Sequence, residues 1–364
     1  MSAIFLTGFP GFLGSEMASR LLQRNEHHVE IHCLIQKKFR HLAEARAAEI
    51  EEKHDADGRI FLHEGDITDD TLGLGADARK ALQQEVSEIY HFAAVYDLAV
   101  PREIGLRVNV DGTRHMLDFA EGCGNLKQFH YVSTCYVSGR HEGEFSESML
   151  QEGQRFNNFY EETKYWAEVE AQRRMNNGLP VTIYRPAVVV GDSETGRTQK
   201  YDGPYYIIQW ILRWKKLAPT PVVGNPEDYT LNVVPRDYVL NAMDHLSQHP
   251  ESVGQVYHLS DPHPPTVSQM IASLGRASGR NILRIPISAP LAKKLLNSFE
   301  PLKNWIGIPP EAIDYFNHPT RYTCDVTRSH LEGSNIHCPA FSTYSKTLVD
   351  FVKANPSVAS AAMA

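Results

Sequence analysis

Thr7-Gly-Phe-Pro-Gly-Phe-Leu-Gly14 follows the apolar run Ile4–Leu6 and opens the amphipathic stretch Phe12–Gln23, so a glycine-rich turn sits between a strand and a helix. Gly8 allows a tight turn, Gly11 lets backbone approach a pyrophosphate, and Gly14 lets helix pack on strand; Phe12 and Leu13 complete the loop. Further short β-branched or aromatic runs follow at Glu30–Ile35, Ile60–His63, Glu88–Phe92, Gln128–Ser133 and Val181–Tyr184. Between them lie helical patterns at Phe39–His54, Ala76–Glu85, Val108–Glu121 and Tyr160–Asn176. This alternation predicts an α/β fold: a Rossmann-type, doubly wound parallel sheet.

After Gly191 the rhythm changes to a stretch rich in Gly, Pro and Tyr, then to helical segments broken by prolines. The expected organisation is a nucleotide-binding domain at 1–191 with return segments at 229–260, Leu231–Val234 and Gln255–Leu259 being strands that come back to the sheet. A smaller interleaved C-terminal substrate-binding region covers 192–228 and 261–353, and 354–364 is a disordered tail.

The end of the second strand decides which dinucleotide fits. An acidic residue about 20 positions past the glycines would hold the ribose hydroxyl of NAD, but the chain reads Cys33-Leu-Ile-Gln36-Lys37-Lys38-Phe-Arg40. Gln36 and Lys37, without a carboxylate, favour the 2′-phosphate of NADPH. Asp66 and Ile67 after the third strand would flank the adenine, Ala93 and Ala94 after the fourth would floor the cofactor, and Asn109 opens a helix at the same edge.

Tyr160-Glu-Glu-Thr-Lys164 places a phenol and an ammonium on one helix face, about 5–6 Å apart at Cβ. An ammonium about 4 Å from a phenolate at an effective dielectric of ~20 contributes on the order of 4 kcal/mol, which predicts a Tyr160 pKa lowered toward neutrality. Thr134 ends the intervening strand and supplies a second hydroxyl. Cys135 beside it points the opposite way on a strand and is not expected to react.

With TGFPGFLG, HFAA, NVDGT, VSTCYVSG, YEETK and YRPAVVVG in order, the first 190 residues resemble the extended short-chain dehydrogenase/reductase family. The long helix Phe39–His54, the Val-Ser-Thr run and Asn232-Val-Val-Pro-Arg-Asp237 are most similar to its fatty acyl-CoA and thioester reductase, male-sterility-type branch. The resemblance implies Thr134, Tyr160 and Lys164 as catalytic residues and Pro186 to Val189 against the nicotinamide carboxamide. It further implies NADPH-dependent reduction of an acyl thioester, on coenzyme A or phosphopantetheine, or of the derived aldehyde, and a homodimer through a helix pair that includes Tyr160–Asn176. A dehydrogenase or epimerase of hydroxysteroids, hydroxyketones or nucleotide sugars is the alternative.

Composition narrows the rest. The net charge of −8 over 364 residues offers no general attraction to nucleic acid. Five cysteines without paired spacing predict reduced thiols in the cytoplasm, and 17 histidines without ligand spacing predict no metal site. The apolar start from Ala3 to Gly14 is read as the first strand rather than a targeting segment, and the apolar stretch Tyr205–Leu212 is too short to cross a bilayer. Tyr201, Tyr205, Tyr206, Trp210 and Trp214 would either wall an acyl cleft or pack a core. Leu291–Phe299 would cover a chain or pack, and Arg197, Lys200, Arg213, Lys215 and Lys216 would meet a phosphate or water.

Overall fold

The computed structural model describes residues 2–24, 29–288, 290–292, 294 and 310–358. Most of the Leu291–Phe299 segment and the end of the tail, from residue 359, lie outside the described residues.

Seven parallel strands form the central sheet: β1 (Ser2–Thr7), β2 (Val29–Ile35), β3 (Ile60–Glu64), β4 (Val86–His91), β5 (Gln128–Val132), β7 (Val181–Pro186) and β11 (Val256–Leu259), in the spatial order 3-2-1-4-5-7-11. Ala3, Ile4, Phe5 and Leu6 are all buried, as both faces of a covered parallel sheet require. Phe5, Ile89 and Phe129 face α5 (Gly112–Glu121) and α6 (Phe159–Asn176) on one side. Ile4, Leu6 and Ile31 face α1 (Phe12–Arg24) and α2 (Arg40–His54) on the other. Each such side chain stabilises by about 1.5–3 kcal/mol through burial. The fold class expected from the alternation of elements is therefore observed.

Later strands behave differently. Gln255–Leu259 joins the sheet beside β7, but the segment expected to return at Leu231–Val234 does not. Its strand, β10 (Val233–Pro235), pairs instead with β8 (Val188–Val190) in a separate two-stranded sheet. Ala187 lies between β7 and β8, its amide bonded to Leu259, so the chain leaves the main sheet there and takes its partner with it.

A second core lies among α7 (Pro204–Leu212), α9 (Val267–Ser278) and α11 (Phe341–Ala354). A capping box starts α9: Thr266 Oγ1 accepts from Gln269 N at 3.1 Å, and the Gln269 side chain accepts from Thr266 N at 3.0 Å. Tyr201, Tyr205 and Trp210 are buried in or beside this core, with Tyr201 Oη donating to the Asn355 carbonyl and Tyr205 Oη accepting from Gly191 N. Core packing is thus what these three rings do. Ala354 ends α11 and the Asn355 carbonyl accepts from Tyr201, so the helix takes in the first residue of the expected tail. No helix among the described residues is long and apolar enough to cross a membrane.

Candidate active site

The C-terminal ends of β1, β4, β5 and β7 meet the N-terminus of α1 and the first turns of α6, the edge where a doubly wound sheet binds ligands. Gly8 has φ +87°, and a Cβ there would fall 2.7 Å from Phe92 Cβ. At Gly14 a Cβ would fall 2.6 Å from the Gly8 carbonyl oxygen. The turn is closed by Gly11 N donating to Gly8 O at 2.9 Å, and Ser15 Oγ just behind it is buried without a protein partner. Two positions closed to larger residues, a helix N-terminus and an orphaned hydroxyl together fit a dinucleotide pyrophosphate. Phe12, at the opening of α1, is covered by the Arg236 guanidinium 4.8 Å above its ring, a neighbour that sequence reading missed.

At the β2 edge, Gln36 donates to Asp66 Oδ2 at 2.8 Å, and Asp66 Oδ1 accepts from Thr68 N at 2.9 Å. These hydrogen bonds hold the Asp66 carboxyl below its ordinary range against the opposing effect of burial. Lys37 and Lys38 are exposed beside them, whereas Arg40 is engaged by Glu44 and Glu64. Ile67 is buried and packs under Gly112. Ala93 N donates to Thr7 Oγ1 at 3.2 Å, which fastens the loop after β4, with Ala94 next in line, to the glycine turn.

Asn109 sits in a single π-helical stretch, Leu106–Asp111, ahead of α5. Its carboxamide is taken up by both backbone groups of Val95 and by Thr163 Oγ1, at 2.9 to 3.1 Å. It therefore clamps the loop beyond Ala94 onto α6 rather than presenting a free amide at the edge.

Asn158 caps α6, its Oδ1 accepting from Glu161 N at 3.0 Å, and its Nδ2 donates to Tyr315 Oη at 3.0 Å. Tyr160 stands in the first turn, Lys164 one turn on. Thr134 follows β5, caps the turn Cys135–Ser138 through Tyr136 N, and stands beside the Tyr160 phenol. Pro186 O lies 3.4 Å from Thr134 Oγ1, and Val189 follows in β8. Thr134, Tyr160 and the end of β7 are thus brought together. Cys135 is fully buried, its thiol donating to Arg185 O at 3.0 Å and pushed up by burial, so it offers no nucleophile.

The expected lysine-to-phenol coupling is corrected by the geometry. Lys164 Nζ donates to Tyr131 Oη at 3.0 Å and to Val132 O at 2.8 Å. Burial brings the Lys164 ammonium down to about 7, opposed by Glu168. Burial also pushes the Tyr160 phenol above its ordinary value, an effect that the nearby Thr134 hydroxyl reduces and Glu161, Asp202 and Tyr96 increase. Desolvation of the phenolate sets the direction, opposite to the sign that spacing alone suggests. The neighbouring Glu161 carboxyl is itself raised to about 7 by burial, against hydrogen bonds from Asn157 and Tyr315.

Two of the five phosphate candidates are ion-paired. Lys200 contacts Asp202 at 2.9 Å and lies 4.6 Å above the Tyr96 ring, while Arg197 faces Glu49 at 3.7 Å. Among the described residues no group of His, Cys, Asp and Glu could hold a metal ion.

Residues 6–243 match the family model described as male sterility protein, an NAD-binding domain. A stretch of 284 residues is 29% identical to a linear gramicidin synthase of Brevibacillus parabrevis, covering 75% of this chain and 5% of that protein. An aldehyde reductase of Aspergillus flavus is 28% identical over 275 residues, 71% of this chain and 26% of its own. The chain thus spans a small part of these curated relatives. Among solved structures, the terminal R domain from the myxalamid PKS-NRPS biosynthetic pathway superposes with a TM-score of 0.82 at 27% identity, covering 98% of this chain and 91% of that one. A thiolation-reductase di-domain from an archaeal non-ribosomal peptide synthetase, at 21% identity and TM-score 0.74 over 98% and 76% of the two chains, shares the fold.

Proposed function

The chain belongs to the male sterility protein family of NAD-binding domains, within the extended short-chain dehydrogenase/reductases, and from that premise we propose that it is an NADPH-dependent reductase of an acyl thioester or the derived aldehyde. Membership makes it an NAD(P)-dependent oxidoreductase. The observation that carries the finer reading is the junction of buried Thr134 and Lys164 with half-buried Tyr160 beside the glycine turn.

When bound, the reduced nicotinamide supplies hydride to the carbonyl carbon. Gly8, Gly11, Phe12, Leu13 and Gly14 would hold its pyrophosphate, Asp66 and Ile67 its adenine, and Ala93, Ala94, Pro186 and Val189 its nicotinamide end. Tyr160 donates its proton to the carbonyl oxygen as negative charge develops, and the Thr134 hydroxyl gives that oxygen a second hydrogen bond. A phenol held protonated by burial suits reduction, in which it must begin as the acid. Lys164 would meet the nicotinamide ribose and favour the phenolate left behind. From a thioester the first product is a hemithioacetal, which collapses to aldehyde and thiol.

Gln36 with Lys37 and Lys38, and no carboxylate at the position itself, support the 2′-phosphate of NADPH. The likeness to a terminal R domain and to a thiolation-reductase pair supports a thioester on coenzyme A or phosphopantetheine as the partner. The scattered, odd set of five cysteines supports a cytoplasmic setting, and a homodimer would use the outer face of α6.

Tyr160→Phe tests the assignment: NADPH oxidation with acyl-CoAs and aldehydes should fall by about 10²–10⁴, and near wild-type turnover would end the proposal. Gln36→Asp should move preference toward NADH, and an unchanged ratio would remove Gln36 from the selection of cofactor.

A further inference from the structure

Beneath the candidate site runs a buried line of polar groups that the chemistry above leaves without a role. Thr7 Oγ1, at the end of β1, accepts from Ala93 N and contacts His91 Nδ1 at 2.8 Å. His91 Nε2 contacts Thr113 Oγ1 at 3.1 Å. Thr113 and Ser133 flank the Tyr131 phenol, and both hydroxyls pull its titration down against the dominant effect of burial. Ser133 Oγ donates to Glu168 Oε2 at 2.5 Å, and Glu168 is gripped by Arg185 at 2.5 to 3.1 Å, all three being buried.

Proton positions follow from the two fixed ends, the Ala93 amide as donor and the Glu168 carboxylate as acceptor. Between them Thr7 O–H points to His91 Nδ1 and His91 Nε2–H to Thr113, while at the other end Ser133 O–H points to Glu168. Burial brings the His91 imidazole down to about 3, so it stays neutral and can both accept and donate. Tyr131 Oη accepts from the ammonium 3.0 Å away, so it turns lone-pair density toward that charge.

We propose that Tyr131 is a positioning residue, whose hydroxyl accepts from the Lys164 ammonium and holds it charged and aimed. Two of the ammonium's three N–H groups are fixed, on Tyr131 Oη and Val132 O, which leaves one direction for the third. The ring contributes as well, with Nζ 4.5 Å from its centroid. The titratable groups facing Lys164 are Tyr131 from β5, His91 from β4 and Glu168 one turn along α6, with Arg185 behind Glu168. The proposal rests on the reading that Lys164 works beside Tyr160, and its test separates the two.

Tyr131→Phe keeps the ring and removes the acceptor. Melting of wild type and variant, compared from pH 6 to pH 9 without cofactor or substrate, should show a gap that is widest at pH 6. The gap should shrink as pH rises through about 7, where Lys164 loses its charge. In the cofactor-loaded enzyme the alkaline limb of kcat/KM should move down by about one pH unit or more, the weight of a hydrogen bond to a charged group. A gap constant with pH, or an unshifted limb, overturns the proposal. The melting comparison needs no turnover, so its outcome is independent of the Tyr160→Phe result. If Tyr131→Phe does not fold, Thr113→Val removes a hydroxyl that flanks the Tyr131 phenol and should give a smaller gap with the same pH trend; a constant gap there also overturns it.

Discussion

Lys164 donates to Tyr131, a residue of the neighbouring strand, rather than finding its nearest partner on its own helix. Few neighbours offset the cost of burying this ammonium, and stability should report that cost. Its folded value of about 7 lies below the ordinary 10.5, so the penalty is fully present below pH 7 and disappears as pH rises from there toward 10.5. Lys164→Met should therefore be more stable than wild type at pH 6 in urea unfolding, with an advantage that declines toward pH 10. An advantage that does not change with pH would contradict the buried charge.

Glu161 carries the opposite sign of dependence. Its folded value of about 7 lies above the ordinary 4.5, so the folded protein holds this proton more tightly than the unfolded chain. Wild type then loses stability as pH rises from about 4.5 to 7, and the cost is constant above that. Glu161→Gln should gain on wild type across this window, which melting at pH 5 and pH 8 measures.

The glycine turn predicts a selective loss. Gly14→Ala places a methyl 2.6 Å from the Gly8 carbonyl, so either the turn or helix α1 must move. A cost of about 1–3 kcal/mol and weakened nicotinamide binding are expected, measured by denaturation and by fluorescence titration. Gly124→Ala is the control: its added methyl meets nothing within 4 Å and should leave binding unchanged.

Arg185 and Glu168 form an ion pair with both side chains at 0% exposure. Arg185→Met leaves the carboxylate buried without its cation, at a cost of about 3–5 kcal/mol. The double variant Arg185→Met/Glu168→Gln should recover part of that loss. Urea unfolding of the three proteins checks the order.

Periodicity and spacing foretold the elements well where local preference and tertiary packing agree. Helix α3, Ala76–Glu85, has the bounds read from sequence, and strands β1 to β5 and β7 differ from the reading only at their ends. The shared face of Tyr160 and Lys164 follows from helix geometry. What spacing could not supply was the medium around them. The sign of the Tyr160 shift depends on how completely the fold excludes water, and no four-residue motif encodes that. Tyr131, His91, Thr113 and Ser133 escaped notice because each reads as an ordinary core position of a strand or helix, and Thr7 and His91 meet across 84 positions. Glu168 offered a signal, lying four residues after Lys164. The Leu231–Val234 strand was recognisable, but its choice of partner is set by β8, which leaves the sheet.

The bond from Asn158 to Tyr315 spans 157 positions, so the cap of the helix that carries Tyr160 is fastened by a segment synthesised long after it. On the ribosome, the dinucleotide cradle can be assembled while this cap still lacks its partner. Full closure of the cap ahead of Tyr160 is thereby made a late event in the life of each new polypeptide.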